Sequence, residues 1–215
     1  MRKVAHSLPA GTRLDNYVIR EALGGGGFSV VYLADGGDSN APVAIKEYMP
    51  NKLAVRGADL HVSARSAQDG ERFQRGRTLF FQEASILATL KHPNIVDVRS
   101  FFNANGTVYM VMAYEQGRNL QHYIFQRRGR LSERFLLTVF PPLLDALRFI
   151  HEQGYLHLDI KPGNVHVRPG GSPLLLDFGA VHRRQDSRQQ QLGHITSTGF
   201  SPIEQYNKTG YIGPW

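Results

Sequence analysis

One stretch of the chain gathers several side chains that could act together on a phosphate group. It reads HLDIKPGN over residues 157–164, and Asp177 opens a DFG sequence 18 residues after Asp159. A carboxylate can accept a hydroxyl proton, a lysine can neutralise phosphate charge, and an Asn and an Asp offer oxygen ligands suited to Mg²⁺. Each residue alone could belong to a turn. Their joint order and spacing indicate phosphoryl-transfer chemistry.

A second candidate site lies in the N-terminal third. Four glycines at residues 24–27 fall between two predicted strands, where a chain without Cβ atoms can approach phosphate oxygens through its N–H groups. A glycine-rich hairpin turn without a ligand explains the same residues. A dinucleotide-binding fold is disfavoured, because that fold requires a helix directly after the glycines and a strand follows here.

A lysine on a predicted strand completes the second candidate site. The alternating pattern of VAIK at residues 43–46 turns Lys46 inward, where an ammonium group needs an anionic partner. An exposed lysine on an edge strand is the alternative. Glu83 lies on a predicted amphipathic helix and could supply that partner, although a helical Glu is usually a solvated surface residue.

The elements that must position these residues begin with a strand-rich half. Five strands are predicted, at Tyr17–Ala22, Val30–Ala34, Val43–Tyr48, Ile95–Asn103 and Thr107–Tyr114. The first three form an antiparallel meander and the last two a hairpin. Apolar residues at helical spacing predict a helix over Thr78–Leu90. The Arg-rich segment from Asn51 to Arg75 has no clear period, so we expect an irregular excursion there.

The second half of the chain predicts mainly helix. Long apolar faces indicate helices over Asn119–Arg128 and Ser132–Gln153, and Pro141 and Pro142 should kink or divide the second helix. Short extended pieces follow at Leu156–Leu158, Val165–Val167 and Leu174–Leu176, and the chain is loop-like from Ala180. We therefore expect an α+β fold with a β-rich lobe over residues 1–114 and a helical lobe over residues 115–215.

Composition and charge exclude several classes of protein. The 215 residues are 41% hydrophobic and 20% charged, which is typical of a globular chain and not of a disordered or fibrous one. The absence of cysteine removes disulfide frameworks, thiol nucleophiles and thiolate metal sites. No apolar run is long enough to span a bilayer, so we expect a cytoplasmic chain, although a parent protein could be anchored outside it.

The net charge favours an anionic partner. The chain carries +7, as expected for a protein that binds a nucleotide, nucleic acid or an acidic surface. Its positive residues are dispersed, with short clusters at Arg127–Arg130 and Arg183–Arg184, and no basic stripe is interleaved with aromatic residues. We therefore expect no nucleic-acid partner.

In combination, the motifs resemble those of the protein kinases, specifically the bacterial Ser/Thr kinases related to the eukaryotic type. The similarity runs from about Tyr17 to Tyr206 and rests on the glycine loop, the VAIK lysine, the HLDIKPGN block and the DFG sequence. It implies a two-lobed kinase fold, ATP and Mg²⁺ as cofactors, and bacterial signalling by phosphorylation of protein substrates. Lys161, two residues after Asp159, is similar to the lysine of Ser/Thr members.

The resemblance implies catalytic roles for individual residues. Asp159 would be the base that accepts the hydroxyl proton, and Lys161 would contact the transferred γ-phosphate. Lys46 would contact the α- and β-phosphates and pair with Glu83 on the helix.

It also implies ligands for the metal and the nucleotide. Asn164 and Asp177 would hold Mg²⁺. Met112 would be the gatekeeper residue, and the backbone of Ala113–Tyr114 would pair with adenine. The full set of nucleotide contacts implied by the resemblance is Leu23, Gly24, Gly26, Gly27, Ser29, Val31, Ala44, Lys46, Met112, Tyr114 and Asp177.

Three motif positions need comment. Ser29 replaces the third glycine of the loop and restricts φ. Leu158 precedes Asp159 where many regulated kinases have an arginine that pairs with a phosphate on the activation loop. We therefore expect activity that does not depend on phosphorylation of Thr196, Ser197 or Thr198. The sequence PIE at residues 202–204 is similar to the A-P-E motif, with Glu204 as its glutamate.

Two further departures concern length. Lys46 and Glu83 are 37 positions apart, which indicates an insertion over about residues 50–75. Four arginines could place it over the helix edge or the nucleotide, namely Arg56, Arg65, Arg72 and Arg75. A passive surface loop is the alternative.

The chain also ends 11 residues after Glu204, so we expect a helical lobe that lacks its last helices. The apolar surface left open would favour self-association. An alternative function follows, that of a catalytically weak nucleotide-binding module for signalling or interaction.

Overall fold

The computed structural model describes residues 4, 6–37, 41–179, 182–183 and 196–206. Most of the loop predicted after Ala180 lies outside these residues. The chain forms two compact units, the first made of Met1–Thr89 and Asp97–Tyr114 and the second of Leu90–Val96 and Glu115–Trp215. Leu90–Val96 thus belongs to the second unit, whereas the sequence predicts a first lobe over residues 1–114 that includes it.

The first unit is built on an antiparallel sheet of six strands in the order β1-β2-β3-β4-β8-β7. The strands of this unit are β1 (Arg13–Leu14), β2 (Tyr17–Gly25), β3 (Ser29–Gly36), β4 (Val43–Tyr48), β5 (Ala54–Arg56), β6 (Val62–Ala64), β7 (Val98–Ala104) and β8 (Thr107–Ala113). Pairing of β4 with β8 joins the predicted meander to the predicted hairpin. The turn of that hairpin has left-handed φ at Asn105 and Gly106, as a two-residue turn requires.

Strand β7 begins three residues later than predicted. Ile95 forms a parallel bridge with Leu175 of the second unit, and the Val96 N–H donates to the Leu175 carbonyl at 3.1 Å. Ile95 and Val96 therefore pair with Leu175, whereas the chain from Val98 onward pairs with β8. Local pattern alone cannot distinguish the two partners.

The expected irregular excursion over Asn51–Arg75 is wrong. Strands β5 and β6 pair as a hairpin, and helix α1 spans Gly70–Thr89, beginning eight residues before the predicted start at Thr78. The first turns of α1 are mostly polar and exposed, which hid their period, and Phe73 anchors them by stacking on Tyr48 at 5.7 Å. Arg56, one of the four arginines expected to place this segment, is buried against Glu47 of β4.

The second unit combines two main helices with short strands. Its elements are β9 (Arg118–Asn119), α2 (Leu120–Gln126), α3 (Glu133–Glu152), β10 (Tyr155–Leu156), β11 (Val165–Val167), β12 (Pro173–Leu175), β13 (His182–Arg183) and α4 (Ile203–Tyr206). Strands β12, β11 and β9 form one antiparallel sheet, and β10 pairs with β13. Asn119 and Ser132 cap α2 and α3 by accepting N–H donors of the first turn.

The prolines were expected to kink or divide the second helix; helix α3 runs through Pro141 and Pro142 as one element, so it is not divided there. The prolines remove the N–H groups that would bond the carbonyls of Leu137 and Thr138. Both of these residues are exposed, so water can satisfy the freed carbonyls. The buried stripe of the helix keeps it anchored on both sides of the prolines, through Val139, Leu143, Ala146 and Ile150.

Candidate active site

One face of the first unit's sheet collects several residues of the predicted nucleotide site. Val31 lies opposite Lys46, and Ala44 lies opposite Met112. Directly opposed residues, and residues two apart on one strand, share a face of a sheet. The four side chains therefore lie on the same face, and all are partly exposed, whereas the alternate residue Ile45 is fully buried.

Lys46 and Glu83 form an ion pair. The Lys46 Nζ atom donates to Glu83 Oε1 at 3.0 Å, and the two side chains are 12% and 7% exposed. The Lys46 ammonium also lies 5.4 Å from the ring centroid of Phe80, one turn before Glu83 on α1. The structure thus unites a strand residue and a helix residue 37 positions apart, and the lysine is neither isolated nor on an edge strand.

The glycine loop leaves open space. A Cβ built on Gly24, Gly26 or Gly27 meets no atom of the described residues within 4 Å, and none of the three has left-handed φ. At the tip, Gly26 N–H donates to the Ser29 carbonyl at 2.9 Å, and Leu23 is 45% exposed. The folded chain therefore gives no reason of its own for glycine at these three positions, while a ligand approaching the backbone would.

At the end of β8, part of the predicted hinge is already engaged. The Ala113 N–H donates to the Asp97 carbonyl at 3.0 Å, so this group is not a donor for adenine. Tyr114 follows the strand and is half-buried. A contact between this backbone and adenine would therefore use the other backbone groups of the segment.

In the second unit, the HLDIKPGN segment places two side chains around one carboxylate. Asp159 is 8% exposed. Its Oδ2 atom accepts hydrogen bonds from Lys161 Nζ at 2.7 Å and from Asn164 Nδ2 at 2.8 Å. The same Asn164 amide donates to the Asp159 carbonyl at 2.9 Å. These bonds fix the orientation of the carboxylate and leave its Oδ1 atom pointing to another partner.

That partner is Ser197, whose contact the sequence analysis missed. Its hydroxyl donates to Asp159 Oδ1 at 2.7 Å and accepts from Lys161 Nζ at 2.9 Å. The sequence indicates Ser197 only as one of three neighbouring hydroxyl residues that could be phosphorylated. Because it lies 38 positions after Asp159, no local pattern could indicate the contact.

Buried groups under the loop hold its backbone. His157 is 2% exposed, its Nδ1 atom accepts the Asp159 N–H at 3.3 Å, and its ring lies 4.6 Å from that of Phe178. Burial lowers the pKa of His157 to about 4, so the ring is neutral near pH 7. Leu158 and Asp177 both have left-handed φ, a strained conformation typical of functional sites.

Gln205 provides a second contact that the sequence did not indicate. This residue of α4 is 4% exposed, and its Nε2 atom donates to the Leu158 carbonyl at 2.9 Å. It thus ties α4 to the residue before Asp159. Its neighbour Glu204, the glutamate of the predicted A-P-E motif, is half-buried in the same helix.

The donor set next to Asp159 suits Mg²⁺. With the Asn164 amide nitrogen engaged by Asp159, its oxygen faces away and can serve as a ligand. The Leu176 N–H donates to the Asn164 carbonyl at 2.8 Å, which joins Asn164 to the segment that carries the exposed Asp177. Among the described residues no group of three or more His, Asp or Glu side chains is placed to bind a metal. A cation here would therefore complete its shell with phosphate oxygens and water.

The comparison with protein families decides the identity of the fold. A sequence model described as "Protein kinase domain" matches residues 17–203. The chain belongs to the protein kinase family. The predicted family and its α+β kinase fold are therefore confirmed, and the lysine, the aspartates and the asparagine described above lie inside the matched range.

Individual relatives agree with this family. Serine/threonine-protein kinase D of Synechocystis sp. is 34% identical over 206 residues, which cover 94% of this chain and 36% of that protein. CBL-interacting protein kinase 21 of Oryza sativa subsp. japonica is 32% identical over 203 residues, covering 94% of this chain and 35% of that protein. The solved structure titled "PpkA-294 apo form" has 40% identity and a TM-score of 0.78, covering 81% of this chain and 62% of that chain. The chain spans about a third of the length of these two curated relatives.

Two findings bear on partners. Within the described ranges, no helix has both the length and the apolar character needed to cross a membrane. Large apolar side chains of the second unit are exposed on α3 and α4, namely Leu137, Phe140, Leu144, Ile203 and Tyr206. Self-association through such a surface stays a prediction, and sedimentation over a range of concentrations would test it.

Proposed function

We propose that this chain transfers the γ-phosphoryl group of ATP to serine and threonine hydroxyls of proteins. The observation that carries the proposal is the environment of Asp159, a buried carboxylate that accepts a serine hydroxyl at 2.7 Å with a lysine and an amide on its other oxygen. The contact with Ser197 supports the view that Oδ1 can accept a hydroxyl proton while Lys161 provides positive charge beside it.

The reaction assigned to this site is an in-line displacement. The substrate hydroxyl oxygen forms a bond to the γ-phosphorus as the bond between that phosphorus and the β,γ-bridging oxygen breaks. The hydroxyl proton passes to Asp159, and ADP leaves. Lys161 offsets the charge on the transferred phosphoryl group, and Asn164 holds Asp159 in place through its two hydrogen bonds to that residue.

The first unit is proposed to bind the triphosphate and adenine. Lys46, held by Glu83, would contact the α- and β-phosphates, and the open glycine loop would approach the phosphates through its N–H groups. Val31, Ala44 and Met112 would offer an apolar surface to adenine, since they share the face that carries Lys46. Leu23, Gly24, Gly26, Gly27, Ser29 and Tyr114 complete the proposed contacts.

Mg²⁺ is the proposed metal, with Asn164 and Asp177 as its protein ligands. When bound, it would neutralise charge on the phosphates. Oxygen donors of this kind favour Mg²⁺ over metals that prefer thiolate. The left-handed backbone at Asp177 presents an exposed carboxylate, which supports this role.

Specificity for serine and threonine rests on similarity. The relatives named above are serine/threonine kinases or CBL-interacting kinases, and Lys161 stands two residues after Asp159 as in Ser/Thr members. The protein substrates themselves would be identified by a mass-spectrometric map of the sites that become phosphorylated.

Transfer of labelled γ-phosphate in the presence of Mg²⁺ tests the proposal. We expect phosphoserine and phosphothreonine in the product and a loss of about 10²–10⁴-fold in Asp159→Asn, because the base is removed while ATP binding is retained. Asp145→Asn is the matched control, since Asp145 is an exposed aspartate on α3. We expect it to change the rate by less than about twofold.

The same experiment distinguishes the proposed kinase function from the alternative one, a nucleotide-binding module that is catalytically weak. If the unsubstituted chain binds ATP in the presence of Mg²⁺ but transfers no phosphate, the result would favour a nucleotide-binding interaction module. Transfer that survives in Asp159→Asn would instead remove Asp159 from the proposed role.

A further inference from the structure

A fully buried carboxylate lies on the face of β4 opposite Lys46. Glu47 is 0% exposed and accepts three hydrogen bonds, all at 2.6 Å. Tyr109 donates to its Oε1 atom, and Tyr32 and Arg56 donate to its Oε2 atom. The Arg56 guanidinium is the cation that the described residues bring to this carboxylate, and its side chain is only 6% exposed.

Arg56 comes from the inserted hairpin and binds several segments at once. Besides Glu47, it donates to the carbonyl of His6 and to that of Leu60, both at 2.9 Å. The Leu8 N–H donates to the Tyr32 hydroxyl at 3.1 Å. A single arginine therefore joins the N-terminal segment, the hairpin and β4.

The hairpin is also held against the sheet away from Arg56. The Val62 N–H donates to the Asn105 carbonyl at 2.7 Å, and a Cβ on Gly106 would lie 2.4 Å from the Val62 carbonyl. These contacts place β6 against the turn between β7 and β8. The segment is thus part of the first unit's core, and a passive surface loop does not describe it.

The neighbours of Glu47 on β4 both contact α1. Lys46 pairs with Glu83, and the Tyr48 ring lies 5.7 Å from Phe73 and 5.8 Å from Phe80. A Cβ on Gly76 would lie 1.9 Å from the Tyr48 hydroxyl, so the strand and the helix approach closely. Arg56 therefore holds the strand from one side at the point where α1 packs on the other.

We propose that Arg56 is a positioning residue for the reaction. By holding Glu47, it fixes the segment of β4 that carries Lys46 and Tyr48 and so sets Lys46 against Glu83 on α1. The role in catalysis rests on the proposed kinase function, whereas the mechanical link from Arg56 to α1 does not.

Hydrogen exchange tests the mechanical link. The variant Arg56→Met combined with Glu47→Gln removes the ion pair without leaving a buried charge, and Arg65→Met is the control from the same hairpin. We expect amides of residues 80–89 to exchange about tenfold faster in the double variant and at the parent rate in the control. Unchanged exchange over residues 80–89 in the double variant would overturn the proposal.

A mutant cycle tests the effect on phosphoryl transfer. The double variant should lower kcat about tenfold in the parent background but less than about twofold when Glu83→Gln is already present, because Arg56 acts through the Lys46–Glu83 pair. A purely structural role would give the same fold-loss in both backgrounds, and that result would overturn the proposal.

Two further outcomes are distinguishable. If the double variant does not fold, Arg56→Lys is compared in its place, since it keeps the charge but loses the planar fork of donors. A parent chain that binds ATP without phosphoryl transfer would contradict the proposed kinase function, and the exchange rates would still decide whether Arg56 holds α1.

Discussion

Lys46 and Glu47 are neighbours on β4, yet their surroundings differ. Glu47 is fully buried, and its two oxygens accept three hydrogen bonds from Tyr32, Tyr109 and Arg56. Lys46 is partly exposed, pairs with Glu83 at 3.0 Å, and lies on the face that carries half-exposed residues of the proposed nucleotide site. The carboxylate is enclosed by the protein's own donors, whereas the lysine side chain is 12% exposed.

The difference separates a structural ion pair from one suited to a ligand. A buried charge is tolerated only when its partners are complete, so the groups around Glu47 cannot change without a large cost in stability. Burial and the charge of Glu47 also raise the pKa of Tyr32 and of Tyr109, so both hydroxyls keep their protons and remain donors. A partly exposed lysine can accept a phosphate as a further partner at smaller cost.

Breaking the enclosed pair should have the largest effect. Arg56→Met alone leaves Glu47 buried without its cation and should lower the free energy of unfolding by about 3–5 kcal/mol. Lys46→Met should cost less, about 1.5–3 kcal/mol, because its pair faces partly exposed surface. Urea denaturation of both variants measures the two losses in the free energy of unfolding. Equal losses would contradict the distinction between the enclosed Arg56–Glu47 pair and the partly exposed Lys46–Glu83 pair.

His157 extends the comparison to a buried group that is neutral. Its folded pKa of about 4 lies below the ordinary value of about 6.5, so the unfolded chain takes up a proton first as the pH falls. The stabilisation is complete above pH 6.5 and should decrease by roughly 3 kcal/mol between pH 6.5 and pH 4. Urea denaturation across this pH range measures the decrease.

A variant isolates the contribution of His157. We expect His157→Gln to remove most of this pH dependence, and the exposed His61→Gln to leave it unchanged. If His157→Gln keeps the parent's pH dependence, burial of His157 is not its cause.

The variant Gly76→Ala tests how strongly the Lys46–Glu83 pair depends on the packing of α1 against β4. Alanine normally stabilises a helix by about 1 kcal/mol relative to glycine. Here the new Cβ would lie 1.9 Å from the Tyr48 hydroxyl, so we expect Gly76→Ala to destabilise the protein by about 1–3 kcal/mol. Gly70→Ala, with no described atom within 4 Å of its Cβ, is the control. A more stable Gly76→Ala variant would show that Tyr48 can move at little cost.

Variants of Ser197 test whether the Asp159 carboxylate of the second unit is suited to a ligand, as the Lys46 side chain is argued to be. Ser197→Ala removes a hydroxyl bonded to Asp159 and Lys161 and should lower kcat about tenfold, because both groups lose a hydrogen bond. Ser197→Thr should retain activity, and the exposed Thr198→Ala should change it by less than about twofold. Kinetics of the three variants, without prior phosphorylation, measure this.

The same series addresses regulation. Leu158 cannot pair with a phosphate, so dependence of kcat on phosphorylation of Thr198 would contradict the expected independence from loop phosphorylation. Replacing residues 196–198 together would not answer the question, because Ser197 contacts the proposed base directly.

The sequence indicated most of the elements and nearly all of the candidate residues. Strand β4 has the predicted bounds, and β2, β3 and β8 include most of the predicted residues. Burial alternates along most of β2, β3 and β4, as their sequence pattern indicates. Helix α1 was predicted only over its second half. Its first turns depend on Phe73 and Tyr48, which are 25 positions apart in the sequence.

What the sequence by itself determined is chemistry that depends on short spacing. The block over residues 157–164 brings Asp159, Lys161 and Asn164 together within a few residues, and the DFG sequence follows 18 residues after Asp159, so the order of these residues was sufficient to indicate phosphoryl transfer. Only the tertiary structure determined the partners of these residues. Ser197 on Asp159, Gln205 on the Leu158 carbonyl, and Arg56 on Glu47 are contacts between separate elements of the fold. Such contacts are selected by burial and charge after the chain has folded, and no periodicity along the sequence records them.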